Sequence, residues 1–131
     1  SLFNIIADDF EQRQSGFIVG ISSVAGDRGR KNNYIYGAAK AGFTAYLSGL
    51  RNRLHATNVH VLTVKPGFVA TKMTEDLDLP EKLTAQPNEV AKDIFNAQQK
   101  GKSVIYTKWM WKWIMLIIRN IPEWQFKKMS I

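Results

Sequence analysis

The sequence has 131 residues, 45% of them hydrophobic, and a formal net charge of +7. That length and composition suit one domain with a hydrophobic core and exclude a disordered, collagen-like or coiled-coil chain. Because there is no cysteine, disulfides and thiolate metal sites are excluded. The only histidines, His55 and His60, have no partner at metal-ligand spacing, so we expect no bound metal.

The first half of the chain alternates between helical and strand patterns. Residues 1–13 carry apolar side chains at helical spacing and read as the end of a helix already in progress. The apolar run 17–21 predicts a strand buried on both faces, and small residues end it at 22–26. A charged loop follows, and residues 34–54 then have the period of a helix.

The second half continues this alternation. Residues 59–65 are rich in β-branched side chains and predict a second strand, which ends at the turn signal Pro66-Gly67. We expect a loop with one short helix over 68–79, a helix over 87–100 and a third strand over 103–106. Strands and helices in this order predict a parallel α/β sheet with right-handed crossovers.

Two strand ends and one helix start carry polar groups suited to chemistry. Ligands of open parallel sheets bind beyond the carboxyl ends of the strands. Tyr36 and Lys40 are spaced i, i+4, so they share one face of the 34–54 helix. A free phenol has a pKa of about 10, and a nearby ammonium favours its ionised form. With the Ser23 hydroxyl as an oxygen anchor, this set suits carbonyl/alcohol interconversion, provided that a cofactor supplies the hydride.

These residues carry a family resemblance. Ser23, Tyr36 thirteen residues later, the YGAAK helix start and the KPGFVAT turn occur in this order. The chain resembles the short-chain dehydrogenase/reductase family in all these motifs. The resemblance implies a Rossmann-like doubly wound parallel sheet and an NAD or NADP cofactor.

The resemblance also implies a role for each matching residue. Tyr36 is expected to be the catalytic acid/base, Lys40 to lower its pKa and hold the nicotinamide ribose, and Ser23 to orient the substrate. Pro66, Gly67 and Val69 are expected to pass by the nicotinamide, with the Val69 backbone near its carboxamide. Thr71 is expected to hydrogen-bond the carboxamide or the pyrophosphate. Ser22 is expected to be structural, and Tyr34 a loop or packing residue.

Residues 1–131 match only the second half of the family's domain. The glycine-rich phosphate turn, the residue that selects NAD or NADP and the active-site asparagine have no counterpart here. We therefore expect residues 1–131 to be the C-terminal catalytic part of a longer protein. We expect that parent to be cytoplasmic and a homo-oligomer.

A finer resemblance concerns the C-terminal part. The segment PGFVATKMT, the helix start TAQPNEVA and the ending RNIP with FKK are similar to the reductase subunit of decaprenyl-phosphoryl-ribose epimerase and its relatives. This likeness implies a keto-sugar on a polyprenyl phosphate as the substrate. The general expectation is a small-molecule or lipid-linked carbonyl/alcohol substrate.

The segment 109–131 is a basic aromatic tail. Residues 100–131 carry a net charge of +6, and the apolar run 109–118 is shorter than the ~20 residues that a membrane-spanning helix needs. Two readings stay open: the tail packs on the sheet or in an oligomer interface, or it forms an interfacial helix in peripheral contact with a membrane. The charged loop 27–31 is either a phosphate site or a solvated loop.

Two other classes of function compete with an enzyme. The first is a non-catalytic binding or scaffold protein on the same fold, associated with a membrane through its C-terminal tail. The second is nucleic-acid binding, which rests on the charge alone. Because the tail contains no recognisable nucleic-acid-binding module, we expect no nucleic-acid partner.

Overall fold

The computed structural model describes residues 1–72 and 78–131, and its centre is a parallel sheet. Strands are numbered along the chain. The sheet has the order β1 (Gly16–Ile21), β2 (Val59–Pro66), β5 (Val104–Thr107). β1 pairs with β2 from Gly16↔Val59 to Ile21↔Val64, and β2 pairs with β5 from Thr63↔Val104 to Pro66↔Thr107. The predicted parallel α/β sheet is therefore confirmed.

A second, smaller pairing follows the turn after β2. β3 (Phe68–Val69) runs parallel to β4 (Thr84–Ala85). Residues 68–79 were expected to hold a loop with one short helix. The structure places a strand at the start of that stretch, and residues 73–77 lie outside the described residues.

Helices connect and flank the strands. They are α1 (Leu2–Arg13), α2 (Tyr34–Leu54), α3 (Pro87–Gln99), α4 (Met110–Asn120) and α5 (Glu123–Phe126). The α2 bounds are those predicted, and α3 begins at the predicted Pro87, which suits the first helical turn because that position needs no backbone donor. The Glu89 side chain adds a capping box by accepting a hydrogen bond from the backbone N–H of Gln86 at 3.2 Å.

The core lies on both faces of β2, and every residue of that strand except His60 is buried. On one face, α1 and α2 cover the sheet with a cluster that includes Ala7, Leu47, Leu54 and Val61. On the other face, Leu62 and Val64 pack with Ala97 of α3. Helices on both faces explain why the strands have continuous apolar runs rather than alternation.

α4 packs on β5 with one side only. Trp111 and Met115 are buried, whereas Trp109, Trp113 and Ile117 are exposed. The inner side of this helix therefore packs on the sheet, as one of the two readings of the tail predicts. Within residues 1–72 and 78–131, no helix is long and apolar enough to cross a membrane.

Candidate active site

The carboxyl ends of β1, β2 and β5 meet at one edge of the sheet, as the parallel register requires. Ser22 and Ser23 follow β1, and Gly67 follows β2. The backbone N–H of Gly67 donates to the Thr107 carbonyl at 3.1 Å, which ties the turn after β2 to the end of β5. The backbone N–H of Ser22 donates to the Val64 carbonyl at 2.7 Å, so the ends of β1 and β2 are neighbours as well.

The two consecutive serines have different surroundings. Both are buried, at 2% and 7% exposure for Ser22 and Ser23. The Ser22 hydroxyl donates to the Lys40 carbonyl at 3.0 Å and lies 2.6 Å from the Thr44 hydroxyl, so it fastens β1 to α2. The Ser23 hydroxyl accepts from the Ala25 N–H at 3.1 Å and caps the short turn Val24–Gly26. That bond uses a lone pair of Ser23 and not its proton, which can be donated to another oxygen.

Tyr36 and Lys40 occupy the first two turns of α2. Tyr36 is 48% exposed, and the Lys40 Nζ lies 5.7 Å from the centroid of its ring. The same Nζ donates to the Ile21 carbonyl, the last residue of β1, at 3.3 Å. The ammonium is thereby positioned between the tyrosine ring and the end of β1, with protons left for further acceptors.

Two glycines let the Ser23 loop approach α2 closely. A Cβ on Gly26 would lie 2.7 Å from the Ala41 nitrogen, and a Cβ on Gly37 would lie 2.7 Å from the Ala25 carbonyl oxygen. Both contacts are shorter than real Cβ atoms make, and both are with backbone that cannot swing aside. Gly37 of the YGAAK stretch thus makes room for the loop that carries Ser23, rather than for a ligand.

The residues expected beside a cofactor lie along the turn after β2. Pro66 is buried at the end of β2, whereas Gly67 and Val69 are half-buried and Thr71 is exposed. The indole of Trp111 occupies the space beside Gly67: a Cβ there would lie 2.1 Å from its ring. The indole N–H donates to the Leu83 carbonyl at 3.1 Å, and the ring contacts Phe68 edge-on at 5.4 Å. Trp111 therefore packs against this turn.

A buried ionic cluster, which the sequence did not reveal as such, lies beneath the same edge. Asp27 accepts from the Lys65 ammonium at 2.8 Å and from the Tyr106 hydroxyl at 2.7 Å. The side chains of Lys65 and Asp27 are only 11% and 4% exposed. The available signal was Lys65 itself, because a lysine in an otherwise apolar strand needs an anionic partner when it is buried.

The cluster perturbs its tyrosine. Burial, together with the hydrogen bond to Asp27 and the charge of that carboxylate, raises the pKa of Tyr106 to about 12, although Arg119 acts in the opposite direction. Tyr106 is therefore a structural hydrogen-bond donor at neutral pH.

Arg28 turns the charged loop into an attachment point for the tail. Its guanidinium donates to the carbonyls of Ile118 and Ile121 at 2.7 Å each and to Glu123 at 2.9 Å, and it lies 3.7 Å from the centroid of the Phe126 ring. The prediction of a solvated loop is wrong for Asp27 and Arg28, since both have their charges engaged within the protein.

Fold and geometry together define a doubly wound α/β protein whose polar side chains converge at the carboxyl edge of its sheet. The sequence model of the short chain dehydrogenase family matches residues 1–82. An uncharacterised oxidoreductase of Mycobacterium tuberculosis is 37% identical over 129 residues, which make up 98% of this chain and 51% of that protein. The chain belongs to the short-chain dehydrogenase family, and it spans about half the length of the curated relatives it matches.

Solved structures agree with the fold. A short-chain dehydrogenase from Sphingobium yanoikuyae in complex with NADPH matches with a TM-score of 0.76 at 25% identity, covering 93% of this chain and 52% of that chain. A short chain dehydrogenase from Burkholderia cenocepacia in complex with NADP has a TM-score of 0.76 at 19% identity, covering 91% and 48% respectively. The predicted Rossmann-like fold is confirmed.

The close approach at Gly37 predicts a cost for any side chain there. In Gly37→Ala, the new methyl meets the Ala25 carbonyl, so we expect the free energy of unfolding to fall by about 1 to 3 kcal/mol. In the control Gly49→Ala, no atom of the described residues outside the local helix backbone lies within 4 Å of the new methyl. The gain in helix propensity, up to about 1 kcal/mol, stabilises the helix. Denaturant unfolding measures both. Equal stability of the two variants would contradict the close approach.

The buried cluster predicts a large penalty for removing its carboxylate. Asp27→Asn leaves the Lys65 ammonium buried without its counter-charge, and we expect a loss of about 3 to 5 kcal/mol in the free energy of unfolding. The double variant Asp27→Asn with Lys65→Met removes both charges and should recover much of that loss. A double variant no more stable than Asp27→Asn alone would argue against the ion pair.

The raised pKa of Tyr106 predicts a specific loss of stability in alkali. An unfolded tyrosine ionises near pH 10, about two units below the folded value. Folding therefore favours the neutral phenol, and this stabilisation is complete below pH 10 and lost as the pH rises towards 12. Between pH 8 and pH 11, the free energy of unfolding should fall less in Tyr106→Phe than in the wild type. The control Tyr34→Phe, at a 62% exposed position, should follow the wild type. Parallel profiles for Tyr106→Phe and the wild type would be inconsistent with a perturbed Tyr106.

Proposed function

We propose that the protein containing this chain is an NAD(P)-dependent oxidoreductase that interconverts a ketone and a secondary alcohol through Ser23, Tyr36 and Lys40. The observation that carries the proposal is the close backbone contact between the Ser23 loop and the start of α2. Backbone contacts at Gly26 and Gly37 hold the loop against the helix turns that bear Tyr36 and Lys40. Membership of the short-chain dehydrogenase family supports it independently.

In the direction of reduction, Tyr36 donates its phenol proton to the substrate carbonyl oxygen as negative charge develops there. Because Tyr36 is 48% exposed, its side chain is accessible to a substrate. The Lys40 ammonium beside the ring stabilises the negative charge that the phenol oxygen acquires. Ser23 keeps its proton and donates a hydrogen bond to the same substrate oxygen, which fixes the orientation of the substrate. In the direction of oxidation, Tyr36 in its ionised form accepts the single proton from the alcohol oxygen.

The donor set fits a nicotinamide cofactor. A bound NAD or NADP supplies or accepts the hydride, which no side chain can do. Lys40 and Tyr36 would hold the ribose hydroxyls, and the turn with Pro66, Gly67, Val69 and Thr71 would line the nicotinamide. This turn lies at the carboxyl edge of the sheet, where ligands of such folds bind. The two solved relatives in complex with NADP and NADPH support a nicotinamide dinucleotide without deciding between NAD and NADP for this protein.

The substrate is proposed only as a class: a small-molecule or lipid-linked ketone or secondary alcohol. A polyprenyl-linked keto-sugar follows from the C-terminal likeness alone and remains a prediction, as does assembly into a homo-oligomer. The competing scaffold function predicts that the same residues bind a nucleotide or nothing at all, without turnover.

Replacement of the phenol in the full-length protein separates these functions. We expect Tyr36→Phe to lower turnover at least about 100-fold, since it removes the general acid while leaving the helix intact. The assay follows NADPH or NADH absorbance with a panel of ketones, and circular dichroism checks the fold. Tyr34→Phe is the matched control, because Tyr34 is 62% exposed and lies two residues away on a different helix face.

Near-wild-type turnover in Tyr36→Phe would overturn the catalytic assignment. A wild-type protein that binds NADPH but reduces none of the ketones would instead favour the scaffold function.

A further inference from the structure

α4 is apolar on two opposite sides, and only one of them packs against other residues of the described ranges 1–72 and 78–131. Trp111 and Met115 are 8% and 4% exposed and face the sheet. The outer face of α4, as we call it, consists of side chains that are 48 to 69% exposed: Trp109, Trp113, Leu116 and Ile117. A contiguous apolar surface of this kind is uncommon on a soluble protein unless a partner covers it, so the outer face calls for an external partner.

The inner side of α4 is attached to the rest of the protein near both of its ends. The inner side is anchored by Trp111, whose indole N–H donates to the Leu83 carbonyl. The C-terminal end is anchored by Arg28, whose guanidinium donates to the carbonyls of Ile118 and Ile121. These hydrogen bonds hold the inner side of α4 against the protein, with the outer face directed away from the sheet.

The position of α4 keeps the outer face away from the rest of a doubly wound sheet. α4 packs on β5, at one edge, whereas β1 forms the other edge. In the doubly wound order, strands of the first half of the fold lie beyond the β1 side. The outer face is therefore at the far edge from those strands.

The charges around the outer face are nearly all positive. Residues 108–131 contain five cations and one carboxylate, a net charge of +4. Arg119 hydrogen-bonds the Tyr106 side chain and Lys108 lies 3.9 Å from the Glu89 carboxylate, so the docking surface relies on Lys112, Lys127 and Lys128. The carboxylate, Glu123, is already paired with Arg28. Trp124, on the short helix α5, adds another 65% exposed indole.

A groove beside the N-terminal end of α4 extends the basic surface. It has a volume of about 820 Å³ and is bounded by α3, β5 and α4. Four lysines line it, against two carboxylates, one of which, Glu89, lies 3.9 Å from the Lys108 ammonium. The lining also includes Trp109, so the groove opens beside the outer face.

We infer that the outer face of α4 docks on an anionic lipid bilayer. Tryptophans prefer the depth of the lipid headgroups, and lysines beside them contact lipid phosphates. An amphipathic helix of this kind lies in the plane of the interface with its apolar side chains buried ~5–10 Å deep. The helix has only 11 residues, too few to span a bilayer but enough to lie in its surface. The inference does not depend on the proposed chemistry, because none of these residues takes part in it.

Vesicle flotation of the full-length protein tests the inference, with vesicles of phosphatidylcholine alone or with phosphatidylglycerol added. The wild type should float with the anionic vesicles and far less with the neutral ones. Trp113→Ser with Ile117→Ser should lower the bound fraction at least about tenfold, because it removes two exposed apolar anchors. Lys127→Gln with Lys128→Gln should weaken binding by about fivefold per lysine, and added salt should weaken binding of the wild type.

Phe95→Ser is the matched control, since Phe95 is 60% exposed on α3 and lies outside the outer face. It should float like the wild type. Flotation that is equal for both kinds of vesicle, or unchanged in Trp113→Ser with Ile117→Ser, would overturn the inference. A third outcome would also overturn the inference: the wild type does not float, and light scattering shows a lower oligomeric mass for Trp113→Ser with Ile117→Ser. In that case a second copy of the chain covers the outer face.

Discussion

The Asp27 carboxylate is the point on which the carboxyl edge of the sheet depends. It lies just beyond β1 and accepts hydrogen bonds from Lys65, near the end of β2, and from Tyr106, within β5. One side chain thus joins the ends of three parallel strands that are far apart in sequence. A buried ion pair is a poor source of net stability, because desolvation offsets most of the attraction. What it contributes here is position, because the ammonium and the phenol both donate to this one carboxylate.

This position determines the shape of the candidate site. The loop that contains Asp27 also contains Ser23. Gly26 of this loop lies against the backbone of α2, whose first two turns carry Tyr36 and Lys40. The neighbouring Arg28 fastens the end of α4, and Trp111 of α4 fills the space beside Gly67. Helix α4 therefore supports the turn expected to line a cofactor, although it lies outside the 1–82 match to the family. The tail is an integral part of the fold that also carries an exposed surface.

Much of this arrangement could be predicted from sequence, because it rests on local patterns. The buried strands appear as β-branched runs, and α2 appears as a periodic segment with the observed bounds. The pair Tyr36 and Lys40 could be found because i, i+4 spacing places two side chains on one helix face without knowledge of the rest.

Other features depend on contacts that no local pattern encodes. The partner of Lys65 lies 38 residues away in a loop that reads as solvated. Trp111 and Trp113 are identical in type and two positions apart, yet one is buried and the other exposed, because a helix turns by about 200° over two residues. The close approach of Gly37 to the Ala25 carbonyl joins a helix to a loop twelve residues earlier, and the sequence around Gly37 does not identify that neighbour.

The central claim is that Ser23, Tyr36 and Lys40 converge on one reacting group. A crystal structure of the full-length protein with NADPH and a ketone or alcohol that it accepts tests this directly. The account predicts that the Ser23 and Tyr36 hydroxyls both lie within hydrogen-bond distance of the same ligand oxygen, with the Lys40 ammonium on the cofactor's ribose. A ligand oxygen held by other side chains, with Tyr36 out of reach, would contradict it.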